Sequence, residues 1–600
     1  MESRNSYLIN RSLRKFLTAS IATMAVMNIN GVVDSILMGQ LIGPQAVAAI
    51  QNVVPVLGLI SAITFLLSAG AAIITAKALG SRNFDEASSS MTVSISSCLA
   101  FGLIISLLSV VLSPGISSLL CQDMTLYDNT YKYLFVIMAG SFLLFLFNGM
   151  SILIETIGYP RLVSFATIST VIVNLICDIL YVKVFSLDIS GAAFATLTGS
   201  LIGVAVLFVF LFRERKALGI RAHFAGFAGM IGRNVVMGIP SFFGNTALTL
   251  IIFICNYFVQ SVHGAAGVFV MSIGYAMISF GQMISGGVQG AFLGIGGMLA
   301  AQSDYDGLRR LLKRGLVISC GFATLSVLVV LFVSGALAAL FGATDPSVIS
   351  LTRQGLPLIA SLNFSLSVVL PLMIMYQIND HSVISTLSAL SMLFSLGIGF
   401  LLAKYLIGNI WVAFPIGSGL SIGFVLLCSI PARIMAGGNV GWIHLIPKPL
   451  DDTMRFDVSV PCDRKWVGDA VNKAGDFLSG KTTYEKEMDI SHCIEELLLN
   501  YVEHSGRPEN AYMDISLISD SDGITLFVKD DGIPFDPVHV ANEDAKAGLK
   551  IMKEFMSDAS YSYSFGQNMV IMKWKETQNS ASTTSDEPGI RKVLSRRNSK

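Results

Sequence analysis

Residues 421–460 read SIGFVLLCSIPARIMAGGNVGWIHLIPKPLDDTMRFDVSV, and the chain changes character within this stretch. Residues 1–433 carry 21 Lys/Arg and 14 Asp/Glu, whereas residues 434–600 carry 19 and 26. The zero net charge of the whole chain is therefore the cancellation of +7 in the first part by −7 in the second. A long apolar body followed by a short, acidic and highly charged segment predicts a membrane protein with a soluble domain attached.

The body contains about twelve apolar runs of the length needed to cross a membrane. About 20 apolar residues in a helix span the ~30 Å hydrocarbon core. Glycine and proline interrupt several of these runs, which membrane helices tolerate. The sequence therefore predicts an all-α polytopic membrane body. The runs lie roughly at 16–38, 46–77, 91–113, 133–154, 161–182, 189–212, 235–260, 266–300, 315–341, 355–377, 383–406 and 410–432.

Basic residues between the runs set the predicted orientation. With the N-terminus inside, the inward-facing segments hold seventeen Lys/Arg and the outward-facing segments only four. Cytoplasmic loops of membrane proteins carry such an excess of Lys and Arg. We therefore expect a multi-pass plasma-membrane protein with both termini in the cytoplasm. The first run contains polar residues and no small-residue cleavage site, so we expect it to be a span and not a signal peptide.

Short motifs in the body recur at an offset near 220 residues, and this offset spans six apolar runs. Because six is even, the two halves have the same orientation, as in transporters built from parallel repeats with substrate bound between them. The predicted halves are residues 1–220 and 221–436. The pairs that show the repeat are 43–49 with 263–268, 79–86 with 300–306, and 155–160 with 376–381.

Charged residues are rare within the apolar runs and are therefore candidates for function. Asp34 and Asp178 lie inside runs, and Asn174 is four residues before Asp178, so these two share one helix face. Two carboxylates with an amide offer hard oxygen ligands to a cation. We therefore predict a Na⁺ or H⁺ site that joins Asp34 to this face.

Two other interpretations of these acids stay open at this point. Asp34 could hydrogen-bond Asn28 or Asn30, or cap a break in its helix. Glu155 lies at the inner end of the fourth run and could be a solvated residue at the membrane interface. Neither interpretation involves ion coupling.

At these residues the body resembles the multidrug and toxic compound extrusion (MATE) transporters. The resemblance covers residues 1–433, and the motifs carry it by their order and spacing together. They are Val33-Asp34-Ser-Ile-Leu-Met-Gly39, Gln45-Ala-Val-Ala-Ala49, Ala69-Gly-Ala-Ala-Ile-Ile-Thr-Ala-Lys-Ala-Leu-Gly80, Gly158-Tyr-Pro160, Asn174-Leu-Ile-Cys-Asp178, Gly191-Ala-Ala-Phe-Ala-Thr196, Gly238-Ile-Pro240 and Trp411-Val-Ala-Phe-Pro415.

The resemblance implies a cation-coupled antiporter, driven by H⁺ or Na⁺, that exports organic or drug-like compounds. It places the coupling cation in the N-terminal half, at Asp34, Asn174, Asp178 and Thr196. Another branch of the family is described with coupling acids in spans seven and ten, and this sequence has none in those runs. Small organic substrates and membrane lipid are the partners implied for the body, and no nucleic acid is expected.

The acidic segment alternates between strand and helix patterns. Strands are predicted at 454–460, 513–518, 524–529 and 569–574, and helices at 466–478, 490–501 and 548–556. This order predicts an α/β sandwich over residues 453–576, joined to the body by a connector at 437–452. Residues 577–600 are rich in Ser and Thr and charged, so we predict that they are disordered.

Residues 475–482 read GDFLSGKT and match the phosphate-binding-loop pattern G-x4-G-K-[ST]. Such a loop needs a strand before it and a helix after it. Here the preceding residues have helical periodicity, so Gly475 is predicted inside a helix and Gly480 at its C-terminal end. We therefore interpret the match as accidental.

A second constellation in the segment resembles the GHKL ATP-binding fold, in the branch of anti-sigma-factor serine kinases. Its boxes are Glu496-Leu-Leu-Leu-Asn500, Asp530-Asp-Gly-Ile-Pro-Phe535 and Ala547-Gly-Leu549. The third box has Lys550 where the family usually has a second glycine. A degenerate domain kept only for protein contacts is therefore an alternative.

The resemblance implies that the domain binds ATP and Mg²⁺, and it implies a role for individual residues of the three boxes. Glu496 would be the general base, Asn500 the Mg²⁺ ligand and Asp530 the acceptor of the adenine amino group. Gly532 would let the backbone approach the base, and Gly548 would line the phosphates at a helix start. The segment could then phosphorylate serine or threonine in a cytoplasmic regulatory protein.

Three functions are compatible with the whole sequence. The first is a secondary-active exporter with a cytoplasmic ATP-binding regulatory domain. The second is a membrane signalling protein, in which a transporter-like body senses a ligand and the serine-kinase-like domain acts on a regulator. The third is a flippase of lipid-linked sugars, because such flippases share the wider superfamily.

Overall fold

The computed structural model describes most of the chain. The described residues are 5–81, 83–121, 126–214, 226–341, 343–451, 453–508, 511–521, 523–537, 558–564 and 566–575. Gly548, the helix predicted at 548–556 and the disordered segment predicted at 577–600 lie outside these residues.

The body consists of fourteen α-helices in its described part. The helices of the first half are α1 Tyr7–Leu41, α2 Pro44–Gly80, α3 Phe84–Leu120, α4 Tyr127–Ala139, α5 Ser141–Thr156, α6 Pro160–Asp178 and α7 Asp188–Glu214. Those of the second half are α8 Phe227–Ala291, α9 Gly297–Ala301, α10 Tyr305–Leu340, α11 Pro346–Ala360, α12 Leu362–Ile378, α13 Ser382–Leu402 and α14 Ala413–Met435.

Ten described helical stretches are long and apolar enough to span a membrane, or eleven if α4 and α5, bent by 57° to each other, form one span. The prediction of about twelve membrane spans from the sequence also included α1. This helix has 35 residues, enough for about 50 Å at 1.5 Å per residue. It is less apolar than the others because it carries Asn28, Asn30 and Asp34 together with basic residues near its start. The all-α polytopic fold is confirmed.

Helix α8 contains two of the predicted apolar runs. It extends over 65 residues and is broken at Gly264, where φ is 56° and ψ is −141°. This backbone conformation favours glycine because a Cβ would be strained there. The break separates the apolar stretches Phe227–Gly264 and Ala266–Ala301, so the two halves of α8 count as separate spans.

The two halves of the body meet along α2 and α8. A Cβ on Gly70 would collide with the backbone of Asn234, and one on Gly238 with the backbone of Leu66. Small residues of this kind allow membrane helices to pack with their backbones in contact. Two ion pairs also cross between the halves here: Lys77–Asp380 at 2.9 Å and Arg233–Glu86 at 2.7 Å. The two halves are therefore in direct contact at this end.

The C-terminal segment forms a five-stranded antiparallel sheet with two described helices, so the predicted α/β sandwich is confirmed. The strand order is β1-β2-β3-β5-β4. The helices are α15 Val467–Leu478 and α16 Tyr484–His504, and the strands are β1 Arg455–Pro461, β2 Tyr512–Asp520, β3 Gly523–Asp530, β4 Asp558–Ser564 and β5 Gln567–Lys575.

Two features of this domain, the start of α16 and the strand β4, were not predicted from the sequence. Helix α16 begins at Tyr484 instead of residue 490, because the Thr483 side chain caps it by accepting a bond from Lys486 N at 3.4 Å. Strand β4 reads DASYSYS, and this polar alternation gives little apolar signal. It pairs with β5 along its whole length.

Both faces of the central sheet are covered. Leu526 and Val528 of β3 pack in the core beneath α15 and α16, together with Val570 and Met572 of β5. The alternate side chains on the opposite face pack into the apolar core of the membrane body instead. These are Phe527, Met569 and Ile571, which are 8%, 4% and 2% exposed. The domain is therefore docked on the body through the second face of its sheet.

Candidate functional site

The first candidate site is a pair of carboxylates in the first half of the body. Asp34 lies on α1 and Asp178 is the last residue of α6, and their side chains are direct neighbours. Asp178 is 0% exposed, and its carboxylate oxygens have no partner among the described residues other than the carboxyl of Asp34. Burying a carboxylate without a donor costs several kcal/mol unless a proton or a cation compensates it. The pair therefore offers oxygen atoms to a cation.

Amide side chains extend the pair along the same helices. Asn174 is one turn before Asp178 and 6% exposed, and its Oδ1 accepts a bond of 3.4 Å from Nδ2 of Asn30. Helix α7 packs closely here, because a Cβ on Gly199 would lie 3.2 Å from Cβ of Asn174. Asn30, four residues before Asp34 on α1, thus links α1 to the face of α6 that carries Asp178.

Thr196 reaches the cluster through a tyrosine. Its hydroxyl donates to the carbonyl of Ala192 at 3.1 Å, one turn back in α7. Tyr133 of α4, 4% exposed, lies beside Thr196 and within electrostatic range of both Asp34 and Asp178. The structure therefore brings all four predicted coupling residues to one place.

Sequence reasoning missed Asn30 and Tyr133 in this cluster. Asn30 precedes Asp34 by four residues, so helical spacing could have placed both on one face. Nothing in the sequence around Tyr133 distinguishes it from other aromatic residues of the spans. Immediately after Asp178 the helix widens into a π-helical stretch, Ile179–Val184. Such stretches are frequent at functional sites.

Glu155 lies between the two halves. Its Oε1 accepts a bond of 3.1 Å from Ser20 of α1, and a Cβ on Gly290 of α8 would lie 2.7 Å from the same oxygen. Glu155 is therefore partly covered by α1 and α8, with an intermediate exposure to solvent. Among the described residues, no group of three or more His, Cys, Asp or Glu could hold a metal ion.

A cavity of about 270 Å³ lies in the second half of the body and reaches α2. Its volume is near the lower end of the range for small-molecule pockets. The lining is mixed, with Met392 and Leu366 beside Thr249, Asn245 and Gln282. Such a lining suits an apolar molecule that carries a few hydrogen-bonding groups.

The second candidate site is at the end of β3 in the C-terminal domain. Oδ1 of Asp530 accepts bonds of 2.7 Å from Gly532 N and from Nδ2 of Asn568. Asn568 also donates to the carbonyl of Ile533 at 3.1 Å, which fixes the following loop. Burial raises the pKa of Asp530 to about 6, although these two hydrogen bonds oppose the shift. Asp530 is therefore a positioned acceptor.

Helix α16 carries two further predicted residues and ends beside this loop. Glu496 and Asn500 are four residues apart and share one face of the helix. Tyr501, next to Asn500, donates to Oδ1 of Asp531 at 3.0 Å and ties the end of the helix to the loop. A Cβ on Gly532 would lie 2.9 Å from Oδ1 of Asp530, so only glycine fits there.

The phosphate-binding-loop interpretation of residues 475–482 is wrong. Gly475 is in the last turn of α15, and Gly480 adopts a φ of +78° after the helix. The Nζ of Lys481 lies 3.2 Å from the centre of the Phe477 ring, a cation–π contact. Helix α15, and not a strand, leads into this segment.

Asp531 connects the same loop to the membrane body. It is 0% exposed, and its carboxylate binds the hydroxyl of Tyr7 at 3.0 Å and the guanidinium of Arg11, both on α1. Arg507 of the C-terminal domain donates from Nε to the Asp531 carbonyl at 2.8 Å. On the neighbouring strand, Gln567 donates to Ser12 Oγ at 2.8 Å. The loop after Asp530 is thus attached to the helix that carries Asp34.

The domain also contacts the second half of the body. Nη1 of Arg455 in β1 donates to the carbonyl of Gln302 at 2.9 Å, and its Nη2 lies 3.9 Å from Asp304. Both residues are in the turn between α9 and α10. The C-terminal domain therefore contacts both halves of the body at the end where Lys77 and Arg233 cross between them.

Comparisons with protein families agree with this division of the chain. Residues 19–180 match the MatE family, and residues 467–574 match the histidine kinase-like ATPase domain. The multidrug export protein MepA of Staphylococcus haemolyticus is 23% identical over 331 residues, which are 54% of this chain and 71% of that protein. MepA of Staphylococcus aureus is 22% identical, and the match covers 43% of this chain and 57% of that protein.

Solved transporters share the fold of the body. The MATE multidrug transporter DinF-BH aligns with a TM-score of 0.64 at 20% identity, over 72% of this chain and 98% of its own. A MOP superfamily transporter from Pyrococcus furiosus aligns with a TM-score of 0.63 at 18% identity, over 73% and 99%. The body therefore has the MATE transporter fold. The chain combines a MatE domain with a C-terminal histidine kinase-like ATPase domain.

Proposed function

We propose that this protein is a cation-coupled secondary-active antiporter that exports organic or drug-like compounds, and that its ATP-binding domain regulates export from the cytoplasm. The observation that carries the proposal is the Asp34–Asp178 pair, in which the buried carboxyl of Asp178 has no described partner for its oxygens other than the neighbouring carboxyl of Asp34. The relatives named as multidrug export proteins support the class of substrate.

Coupling follows from the chemistry of this pair. Two adjacent buried carboxylates repel each other unless one of them binds H⁺ or both contact Na⁺. Oδ1 of Asn174 and the hydroxyl of Thr196 are further oxygen donors for Na⁺. Each positive charge moved across 100 mV supplies ~2.3 kcal/mol. Cation binding from outside would therefore supply the energy for moving the substrate outwards.

The C-terminal domain is proposed to bind ATP and Mg²⁺ without powering transport. Asp530 would accept the adenine amino group, Asn500 would hold Mg²⁺ and Glu496 would act as the general base on a bound regulator. Gly532 would leave space for the base, and Gly548 would line the phosphates. ATP-driven pumps close paired P-loop domains over the nucleotide, whereas residues 467–574 match a histidine kinase-like ATPase domain.

Regulation is supported by the position of the domain across both halves. Export requires the halves to separate at the end that faces the cytoplasm in the predicted orientation. Arg11 and Tyr7 hold the domain on the first half, and Arg455 holds it on the second. Apolar side chains of β3 and β5 are buried in the same contact. A docked domain would therefore oppose this separation.

The first test is export from sealed liposomes that contain the full chain. A fluorescent organic cation should move uphill when a pH or Na⁺ gradient is imposed, and transport should stop when the gradient is collapsed with an ionophore. ATP and Mg²⁺ should change the rate but not replace the gradient. Uphill export driven by ATP alone, with all ion gradients collapsed, would contradict the proposal.

The second test releases the domain from the body. Arg11→Gln combined with Arg455→Gln removes one charged contact to each half, and we expect gradient-driven export to become at least twofold faster. A parallel measurement is the rate of proteolysis of the connector 437–452, which should rise. Lys473→Gln is the matched control, because it removes an exposed ion pair with Asp469 inside the same domain. Unchanged export by the double variant would exclude docking as the regulatory step.

A further inference from the structure

A groove of about 570 Å³ lies between the first turns of α1 and α10, one helix from each half of the body. Its floor is apolar, and its rim is basic. The floor is formed by Leu13, Leu17, Val317 and Ile318, and the rim by Arg14, Arg310, Lys313 and Arg314. The groove is lined neither by the Asp34–Asp178 pair nor by the residues of the proposed nucleotide site.

The basic and apolar residues of the groove are most clearly separated along α10. Both helices begin at the end where the C-terminal domain is docked, since Tyr7 binds Asp531 and Asp304 approaches Arg455. On α10 the basic residues Arg310, Lys313 and Arg314 come first and the apolar Val317 and Ile318 follow about one turn later, whereas on α1 Arg14 lies between Leu13 and Leu17. Along α10, charge therefore lies nearer the docked domain than the apolar surface does.

This order matches the structure of a phospholipid. A phosphate-bearing headgroup would lie among the guanidinium and ammonium groups, and the acyl chains would follow the apolar floor. Val317 is 65% exposed and Ile318 36%, so this floor is open to lipid. Basic pockets between membrane helices on the cytoplasmic side bind anionic headgroups. Free phosphate would leave the apolar floor uncovered.

Three of the charges on the rim, those of Arg14, Lys313 and Arg314, are also available for a ligand. Other basic residues at this end are paired: Lys77 with Asp380, Arg233 with Glu86 and Arg309 with Asp306. Within the described part of the chain, no carboxylate lies within ion-pair distance of Arg14, Lys313 or Arg314. The positive-inside rule explains why basic residues occur at this end, but not why three of them surround one apolar groove without acidic partners.

We propose that the groove between α1 and α10 is a binding site for an anionic phospholipid. The headgroup phosphate binds Arg14, Lys313 and Arg314, and the acyl chains pack on Leu17, Val317 and Ile318. The bound lipid contacts both halves of the body next to the docked domain. The site does not depend on the transported substrate or on the coupling ion.

The test measures lipid binding to the full chain by native mass spectrometry and by thermal shift. Phosphatidylglycerol should bind at least tenfold more tightly than phosphatidylcholine. Arg14→Gln with Lys313→Gln and Arg314→Gln should abolish this preference while the lipid-free melting temperature stays the same. The matched control removes three positive charges outside the groove, by Lys183→Gln, Arg213→Gln and Lys404→Gln, and should keep the preference.

Two further arms separate a lipid from a free anion and from a folding defect. Inorganic phosphate at millimolar concentration should not displace phosphatidylglycerol; full displacement would show a simple anion site and overturn the proposal. Ile318→Asn should weaken phosphatidylglycerol binding at least tenfold, because it makes the floor polar while it adds no charge beside the basic rim. Equal binding of the two lipids by the unmodified chain, or equal loss in the control, would also overturn it.

Discussion

Asp34→Asn is expected to abolish gradient-driven export while the protein remains folded and inserted. Asparagine keeps the shape and hydrogen-bonding capacity of the side chain but removes the charge that would bind the cation. Because Asp34 is a direct neighbour of the buried Asp178, the substitution also removes the repulsion between the two carboxylates. We expect uphill export in liposomes to fall at least tenfold, to the background of empty liposomes.

Stability separates a loss of coupling from a loss of folding. Replacing a costly buried charge with a neutral group is often neutral or stabilising, so the melting temperature should not fall. Asp178→Asn should have the same effect on export, and the double variant should add little because both residues serve one site. Asp128→Asn is the control, since Asp128 is exposed and paired with Lys132. Unimpaired export by Asp34→Asn would remove Asp34 from the coupling site.

Asp530→Ala is expected to weaken the binding of adenine nucleotides by the full chain in detergent. The Asp530 carboxylate, the proposed acceptor of the adenine amino group, is held in place by hydrogen bonds from Gly532 and Asn568. A hydrogen bond to a charged group is worth about 1.5–3 kcal/mol, so the affinity should fall about tenfold to a hundredfold. Lys481→Ala should leave the affinity unchanged because Lys481 packs on Phe477. Calorimetry showing the reverse pattern would revive the phosphate-binding-loop interpretation.

The pH dependence of nucleotide binding gives an independent measurement of the same residue. Burial raises the pKa of Asp530 to about 6, against the opposing effect of Arg507 and with the support of the neighbouring Asp531. The ionised carboxylate accepts the adenine amino group better than the protonated acid does. Affinity should therefore be constant above about pH 7 and decrease below pH 6. In Asp530→Ala this decrease should disappear.

Local sequence patterns predicted most of the helices and strands, because each pattern depends only on the residues of that helix or strand. Apolar runs indicated the spans, and the i, i+4 spacing placed Asn174 with Asp178 and Glu496 with Asn500 on shared helix faces. The same reasoning rejected the phosphate-binding loop, because helical periodicity continued through Gly475. Polar alternation hid β4, and the starting point of α16 depended on a single capping bond from Thr483.

Contacts between distant segments could not be derived in this way. Tyr133 joins the coupling cluster only because α4 packs beside α7, and Glu155 is covered only because α8 crosses it. The continuous apolar residues Met569–Met572 did indicate a strand, but not that its second face is buried on the membrane body. In the sequence, Asp531 is distinguished only by its position next to Asp530. The structure shows that Tyr7 and Arg11 of α1 bind its carboxylate.

The sequence by itself determined the division into a membrane body and an acidic domain, the spans, and the residue types at both candidate sites. These depend on composition and on spacings within single elements, which the backbone geometry of a helix or strand fixes. Only the tertiary structure decided that Asp34 lies beside Asp178, that the ATPase-like domain contacts both halves, and that α1 and α10 enclose a basic groove. Each of these depends on which faces of distant elements pack together, and that choice follows from burial summed over the whole molecule.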